Sequence, residues 1–201
     1  MIIYVYGFPH SGTTILRKLI GEHSQIYDFC NEVEDPPITK GNLVYKMPML
    51  PDDRHNECKR IMIMKNPYDI FGSFYLRFGE TYLSYPGRRV SDYERFVEHY
   101  LSTSDFTVKY EELSERLPEI FEYLGFEFEG IKNSPGYISF EHKWIPEEKP
   151  THQTEGPDHG YYRQWQINQG FRDMTGESAK HLPEFGRQFI EKSEIIKKLY
   201  D

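Results

Sequence analysis

The chain has 201 residues, enough for one domain with a sizeable core, and no apolar stretch approaches the roughly 20 residues that span a bilayer. Its net charge of −8 is uneven: residues 1–90 carry 11 Lys and Arg against 10 Asp and Glu, and residues 91–201 carry 13 against 22. The acidic second half argues against nucleic acid or an anionic membrane as partner, and two cysteines, Cys30 and Cys58, argue against a disulfide framework.

The apolar run Ile2-Ile3-Tyr4-Val5-Tyr6 reads as a buried strand. It starts without a basic leader or cleavage site, so a cytoplasmic protein is expected. Residues 7–14, Gly-Phe-Pro-His-Ser-Gly-Thr-Thr, then form a glycine-bracketed turn. Residues 13–22 read as the following helix, with Ile15, Leu16, Leu19 and Ile20 on one face. Leu43–Lys46 is a short strand ending before Pro48, and Arg60–Met64 is a second buried strand. Asn66-Pro67 opens a helix to about Phe78, with proline in the first turn where its missing N–H costs nothing. Residues 79–90 are expected as a loop, with Ser91 and Glu94 as the capping box of a helix to about Leu101. Phe106–Tyr110 reads as a third core strand, residues 111–124 as a helix stopped by Gly125, and residues 183–200 as a final amphipathic helix. Strands alternating with helices predict an α/β, three-layer P-loop fold, a central parallel sheet flanked by helices, in one domain over residues 1–201. Residues 129–160, rich in Pro, Gly, His and Glu, are expected to be an irregular lid or acceptor-binding segment.

The turn at residues 7–14 has the spacing of a phosphate-binding loop, with Gly7 and Gly12 five apart. Thr13 stands where a Walker lysine would stand. Backbone amides of the turn and the helix N-terminus still form an anion cradle, and Ser11, Thr13 and Thr14 add hydroxyls. Without the lysine that reaches β- and γ-phosphates, the loop suits a single 5′-linked anionic group better than a triphosphate with magnesium. His10 sits at the crest, where a ring N–H can reach an anionic oxygen. In Lys65-Asn66-Pro67-Tyr68-Asp69-Ile70-Phe71-Gly72-Ser73, a cation ends a buried strand and a serine follows two turns into the next helix. Both suit the crevice at the carboxyl edge of the sheet and, together, a second phosphate.

These stretches resemble a known family. Residues 7–14 with Ile15–His23 resemble the 5′-phosphosulfate loop of sulfotransferases that use 3′-phosphoadenosine-5′-phosphosulfate (PAPS), which usually reads Pro-Lys/Arg-Ser-Gly-Thr-Thr. Lys65–Ser73 resembles that family's 3′-phosphate motif, Arg-Asn-Pro-x-Asp-x-x-x-Ser. Val108–Leu113 followed by Tyr123-Leu124-Gly125 is similar to its Arg-Tyr-Glu-Asp-Leu strand and Phe-Leu-Gly helix end. Order and spacing agree over residues 1–126, and Met174-Thr175-Gly176-Glu177 and Trp165 faintly resemble the C-terminal region.

The resemblance implies that His10, Ser11, Gly12, Thr13 and Thr14 hold the 5′-phosphosulfate, that Lys65 and Ser73 hold the 3′-phosphate, and that Tyr110 lies near the adenine. It implies in-line transfer to a hydroxyl acceptor, with adenosine 3′,5′-bisphosphate (PAP) as the product and no metal required. Glu32 is the expected base, one position off the family's register, with Glu34 as the alternative. Lys46 resembles a family lysine beside the transferring group. Two departures bear on catalysis: His10 replaces a Lys or Arg, and Lys65 replaces an arginine, which removes a bidentate fork on phosphate. The acceptor is a small-molecule, glycan or peptide hydroxyl. Its pocket is expected to be open or completed by a second subunit in a homo-oligomer. Aromatic and histidine side chains at His142, Trp144, His152, His159, Tyr161, Tyr162 and Trp165 offer stacking surfaces or loop anchors. Two other readings stand beside this one. A P-loop nucleotide kinase predicts dependence on magnesium and ATP. A non-catalytic nucleotide-binding module predicts tight bisphosphate binding without turnover.

Overall fold

The computed structural model describes residues 1–29, 41–46, 58–80, 86–133, 164–171 and 173–200. Five strands, β1 (Ile2–Tyr6), β2 (Ile26–Phe29), β3 (Asn42–Lys46), β4 (Cys58–Met64) and β5 (Phe106–Lys109), form one parallel sheet in the order β2-β3-β1-β4-β5. The helices are α1 (Thr13–Gly21), α2 (Pro67–Phe78), α3 (Pro86–Leu101), α4 (Leu113–Leu124), the described part of α5 (164–168), α6 (Glu184–Glu191) and α7 (Glu194–Tyr200). This is the three-layer α/β architecture that the alternation of elements predicts.

Strand alternation sorts the core into two main faces. Ile3 and Val5 of β1, with Ile61 and Ile63 of β4, pack under Leu16, Leu19 and Ile20 of α1 and Leu117, Ile120 and Phe121 of α4. Tyr6 and Met62 point the other way, into Ile70, Phe71 and Phe74 of α2, Val90, Tyr93 and Val97 of α3, Ile190 of α6 and Ile196 of α7. Each such fully buried apolar side chain contributes about 1.5–3 kcal/mol. The consequence for function is geometric. The chain leaves β1 for one face and leaves its neighbour β4 for the other, so a crevice opens at the carboxyl ends of these two central strands. Ligands bind at such a switch point in open α/β sheets.

Several elements differ from the sequence reading. Strand β2 was not anticipated, because its four residues include exposed Tyr27 and half-buried Asp28 and lack a continuous apolar signal. Helix α3 begins at Pro86, inside the stretch expected as a loop, so Ser91 lies within the helix and caps nothing. Glu94 instead accepts a hydrogen bond from Ser193 Oγ. Strand β5 stops at Lys109, and Tyr110–Glu112 make a 3-10 turn before α4. The expected final helix is two helices, broken around Lys192 and Ser193, where Ser193 Oγ accepts the Ile196 N–H at 3.1 Å and turns the chain into α7. Among the described residues, no helix is long and apolar enough to cross a membrane.

Candidate functional site

The turn after β1 is held in shape by steric fit. A Cβ on Gly7 would stand 2.4 Å from the Ile63 carbonyl oxygen and 2.4 Å from Ser11 Oγ, so only glycine lets the turn lie against β4. Gly12 has φ 101°, and a Cβ there would meet the Tyr110 ring at 2.7 Å. Between them His10 sits at φ 70°, a left-handed conformation that histidine enters more readily than most side chains. Ser11 N–H donates to the Phe8 carbonyl at 3.0 Å, which closes the turn. Gly12 then caps α1 without any side-chain hydrogen bond, and no acidic residue occupies the first turn. The helix N-terminus thus presents the positive end of its dipole at the turn without a side-chain cap. Ser11 Oγ is buried and has no hydrogen-bond partner among the described residues. Thr13 is buried and Thr14 half-buried beside it.

The β4–α2 junction forms the second wall. Asn66 Oδ1 accepts the Tyr68 N–H at 2.9 Å and Pro67 fills the first helical position, which fixes where α2 leaves the sheet. Asn66 N–H donates to Glu111 Oε1 at 2.8 Å, tying the junction to the turn after β5. Lys65, at the end of β4, is only 8% exposed, and no hydrogen bond or ion pair satisfies its ammonium among the described residues. It stands 4.2 Å from the centroid of the Tyr110 ring. Burial pushes the Lys65 pKa below its ordinary 10.5, and the negative charges of Asp69, Glu111 and Asp173 oppose that fall. Burial likewise raises the Tyr110 phenol to about 12, and a backbone hydrogen bond from Met174 acts against it.

The two walls meet. One ring, Tyr110, packs on Gly12 of the turn and under Lys65 of β4. His10 Nδ1 lies 2.7 Å from Ser73 Oγ on α2, and its ring sits 4.1 Å from that of Phe74. The structure therefore brings together His10, Ser11, Gly12, Thr13, Thr14, Lys65, Ser73 and Tyr110. Lys46 ends β3 opposite Val5 of β1, which puts it on the same sheet edge. Glu32 and Glu34 lie outside the described residues, as do His142, Trp144, His152, His159, Tyr161 and Tyr162. Trp165 is half-buried on α5. His23 follows α1 and is buried between Phe121 and Phe126, where Nε2 donates to the Glu127 carbonyl at 3.1 Å and Nδ1 accepts the Gln25 N–H at 3.2 Å.

Sequence reasoning missed one participant. Asp69 is 1% exposed and accepts backbone N–H groups of Gly176 at 2.7 Å and Ala179 at 2.9 Å. Nothing local marks it, because both partners come from more than a hundred residues away along the chain. The only signal was its position in a motif whose lysine and serine drew the attention.

No family model matches the chain, and no curated protein sequence matches it. Solved structures do. The mouse sulfotransferase SULT7A1 complexed with PAP matches over 98% of this chain and 86% of its own, at 15% identity and a TM-score of 0.59. Retinol dehydratase in complex with androsterone and the inactive cofactor PAP matches over 100% of this chain and 76% of its own, at 13% identity and a TM-score of 0.49. The chain thus has the P-loop fold of PAPS-dependent sulfotransferases.

Proposed function

We propose that the chain is a sulfotransferase that moves a sulfuryl group from PAPS to the hydroxyl of an alcohol, phenol or sugar, carried on a small molecule, glycan or peptide. The observation that carries this reading is a buried Lys65, without a hydrogen bond or ion pair among the described residues, sharing one aromatic ring with a helix N-terminus that has no side-chain cap. Two anion sites of different kinds face one crevice. A buried ammonium without a partner is costly, and so is a buried orphan hydroxyl such as Ser11 Oγ. A nucleotide with phosphates at both ends of its ribose satisfies both.

When bound, PAPS supplies the sulfuryl group and leaves as the 3′,5′-bisphosphate. The amides of residues 10–14 and the hydroxyls of Ser11, Thr13 and Thr14 hold its 5′ end. Lys65 and Ser73 hold the 3′-phosphate, and Tyr110 lies against the base. His10, its ring oriented by the Ser73 contact, donates toward the sulfonate oxygens, and Lys46 adds positive charge from β3. Glu32, or in its place Glu34, takes the proton of the acceptor hydroxyl. PAPS and a hydroxyl acceptor suffice, with no metal and no nucleic acid or membrane partner, in the cytoplasm. A second copy of the chain completing the acceptor pocket is part of the same proposal.

The test is calorimetric titration with PAP, beside ATP–Mg²⁺ and adenosine 5′-phosphate. Micromolar binding selective for PAP is expected. Preference for ATP–Mg²⁺, or no binding to any of the three, overturns the proposal.

A second reading, a bisphosphate-binding module without turnover, is favoured by His10 itself. An imidazole carries a full charge only near or below its pKa, so His10, bonded to Ser73, supplies less charge at the loop crest at alkaline pH than a permanent cation. His10→Lys separates the two readings. On the sulfotransferase reading, turnover with PAPS is maintained or rises at alkaline pH. Tight binding with no turnover in either form supports the module.

A further inference from the structure

The second-phosphate side of the crevice is not built by β4 and α2 alone. Segment 173–181, which contains the 3-10 turn Ala179–His181, is drawn onto α2 by Asp69. Both carboxylate oxygens are engaged, Oδ2 by the Gly176 N–H at 2.7 Å and Oδ1 by the Ala179 N–H at 2.9 Å. Gly72, three residues further along α2, admits the same segment: a Cβ there would stand 2.0 Å from the Ser178 carbonyl oxygen and 2.5 Å from its carbon. A third tie runs from the Met174 backbone to the Tyr110 phenol. These contacts converge from α2 and from the turn after β5 on a stretch with little regular structure of its own.

A helix that only needed to pack would carry an apolar residue at position 69 and alanine at position 72. A buried carboxylate is tolerated only when fully hydrogen-bonded, and glycine within a helix is unfavourable by about 0.5–1 kcal/mol relative to alanine. Both exceptions act on the same few backbone atoms. Asp69 lies one helical turn before Ser73, and its charge and that of Asp173 in the seated segment both act on Lys65.

We propose that Asp69 is a positioning residue for nucleotide recognition: it seats segment 173–181 against α2, so that this segment, Lys65 and Tyr110 together form the wall that distinguishes a 3′-phosphorylated nucleotide from one phosphorylated only at the 5′ position. This rests on the PAPS reading. Asp69 touches no ligand itself, and its effect runs through the backbone it holds.

The experiment compares PAP with adenosine 5′-phosphate by calorimetry on wild type, Asp69→Asn and Gly72→Ala, with melting temperature recorded for each. Wild-type protein comes first. A preference for PAP upholds the reading on which the inference rests, and the lack of one removes both together. Given that preference, Asp69→Asn is expected to lose about tenfold or more in PAP affinity, in line with the loss of a charge-assisted hydrogen bond, while adenosine 5′-phosphate stays within about twofold. Gly72→Ala, which pushes the same segment from α2 without touching a charge, is expected to move the preference in the same direction. Equal losses for the two nucleotides would show a structural role only and overturn the inference, as would no loss. Hydrogen exchange on the wild type covers the case in which a variant does not fold. PAP, and not adenosine 5′-phosphate, is expected to slow exchange across residues 173–181, and equal protection by both overturns the inference.

Discussion

The two walls of the crevice are built in opposite ways. The wall proposed for the 5′ end is one contiguous stretch, residues 7–14, whose shape follows from two glycines, a left-handed histidine and a helix start. The wall proposed for the 3′-phosphate is an assembly. Its lysine ends β4, its serine sits on α2, its ring comes from the turn after β5, and its backing comes from residues 173–181. A contiguous cradle depends on local backbone geometry and, on the function proposed above, would accept any nucleotide that carries a 5′ anion. An assembled wall depends on the whole fold and, on the same proposal, is where preference among nucleotides would arise.

The sharpest way to break that comparison is to damage the contiguous wall. Gly12→Ala places a Cβ 2.7 Å from the Tyr110 ring at a φ that disfavours side chains. The left-handed backbone and the displaced ring together cost about 2–4 kcal/mol. PAP and adenosine 5′-phosphate should both lose binding, in parallel, by calorimetry. A variant that lost only PAP would show that the loop is not a general 5′ cradle.

Lys65→Ala attacks the other wall and has a smaller, selective effect. It removes a charge-assisted contact of about 1.5–3 kcal/mol, so PAP should weaken roughly ten- to a hundredfold while adenosine 5′-phosphate hardly changes. Equal loss for both would sink the assignment of Lys65 to the 3′-phosphate. The same residue sets a pH dependence. Burial lowers its pKa, so its positive charge is lost, as pH rises, before the ordinary lysine value of 10.5 is reached. The preference for PAP should therefore decline in the alkaline range sooner than an exposed lysine would allow, and Lys65→Arg should hold it to higher pH.

The contrast also explains what could be read from the chain before its structure. The loop was legible because its chemistry is written in consecutive residues, and β1, α1, α2 and α4 carry clear periodicity or end signals. Lys65 and Ser73 were legible as a spacing, and the structure adds that the lysine is buried and shares a ring with Gly12. Asp69 was not legible, since a carboxylate in the first turn of a helix reads as favourable to the helix dipole wherever it occurs. Its real partners, Gly176 and Ala179, are chosen by tertiary packing. The burial of Arg17 and Lys18 is likewise decided by tertiary packing. Both are buried, Arg17 against Asp28 at 2.8 Å and Lys18 against Glu22 at 3.0 Å.

That buried Arg17–Asp28 pair supplies the smallest of the expected effects and a control for the others. Asp28 packs on Gly21, at the end of α1 away from the nucleotide loop. Burial raises its carboxyl from 3.8 to about 6, with Arg17 and Lys18 pulling the other way. A carboxyl whose folded pKa lies above its unfolded one binds its proton more tightly in the native state. Its contribution to stability is therefore fully present below about pH 4 and is lost as pH rises to about 6. Asp28→Asn removes that titration. The urea midpoint of the variant relative to wild type should rise between pH 4 and pH 6, then level off, while its preference for PAP over adenosine 5′-phosphate stays unchanged. A flat difference across that range would mean that Arg17 holds Asp28 ionised despite its burial. A changed nucleotide preference would mean that α1 transmits strain from its far end into the loop, and the contiguous wall would then be less local than its sequence makes it look.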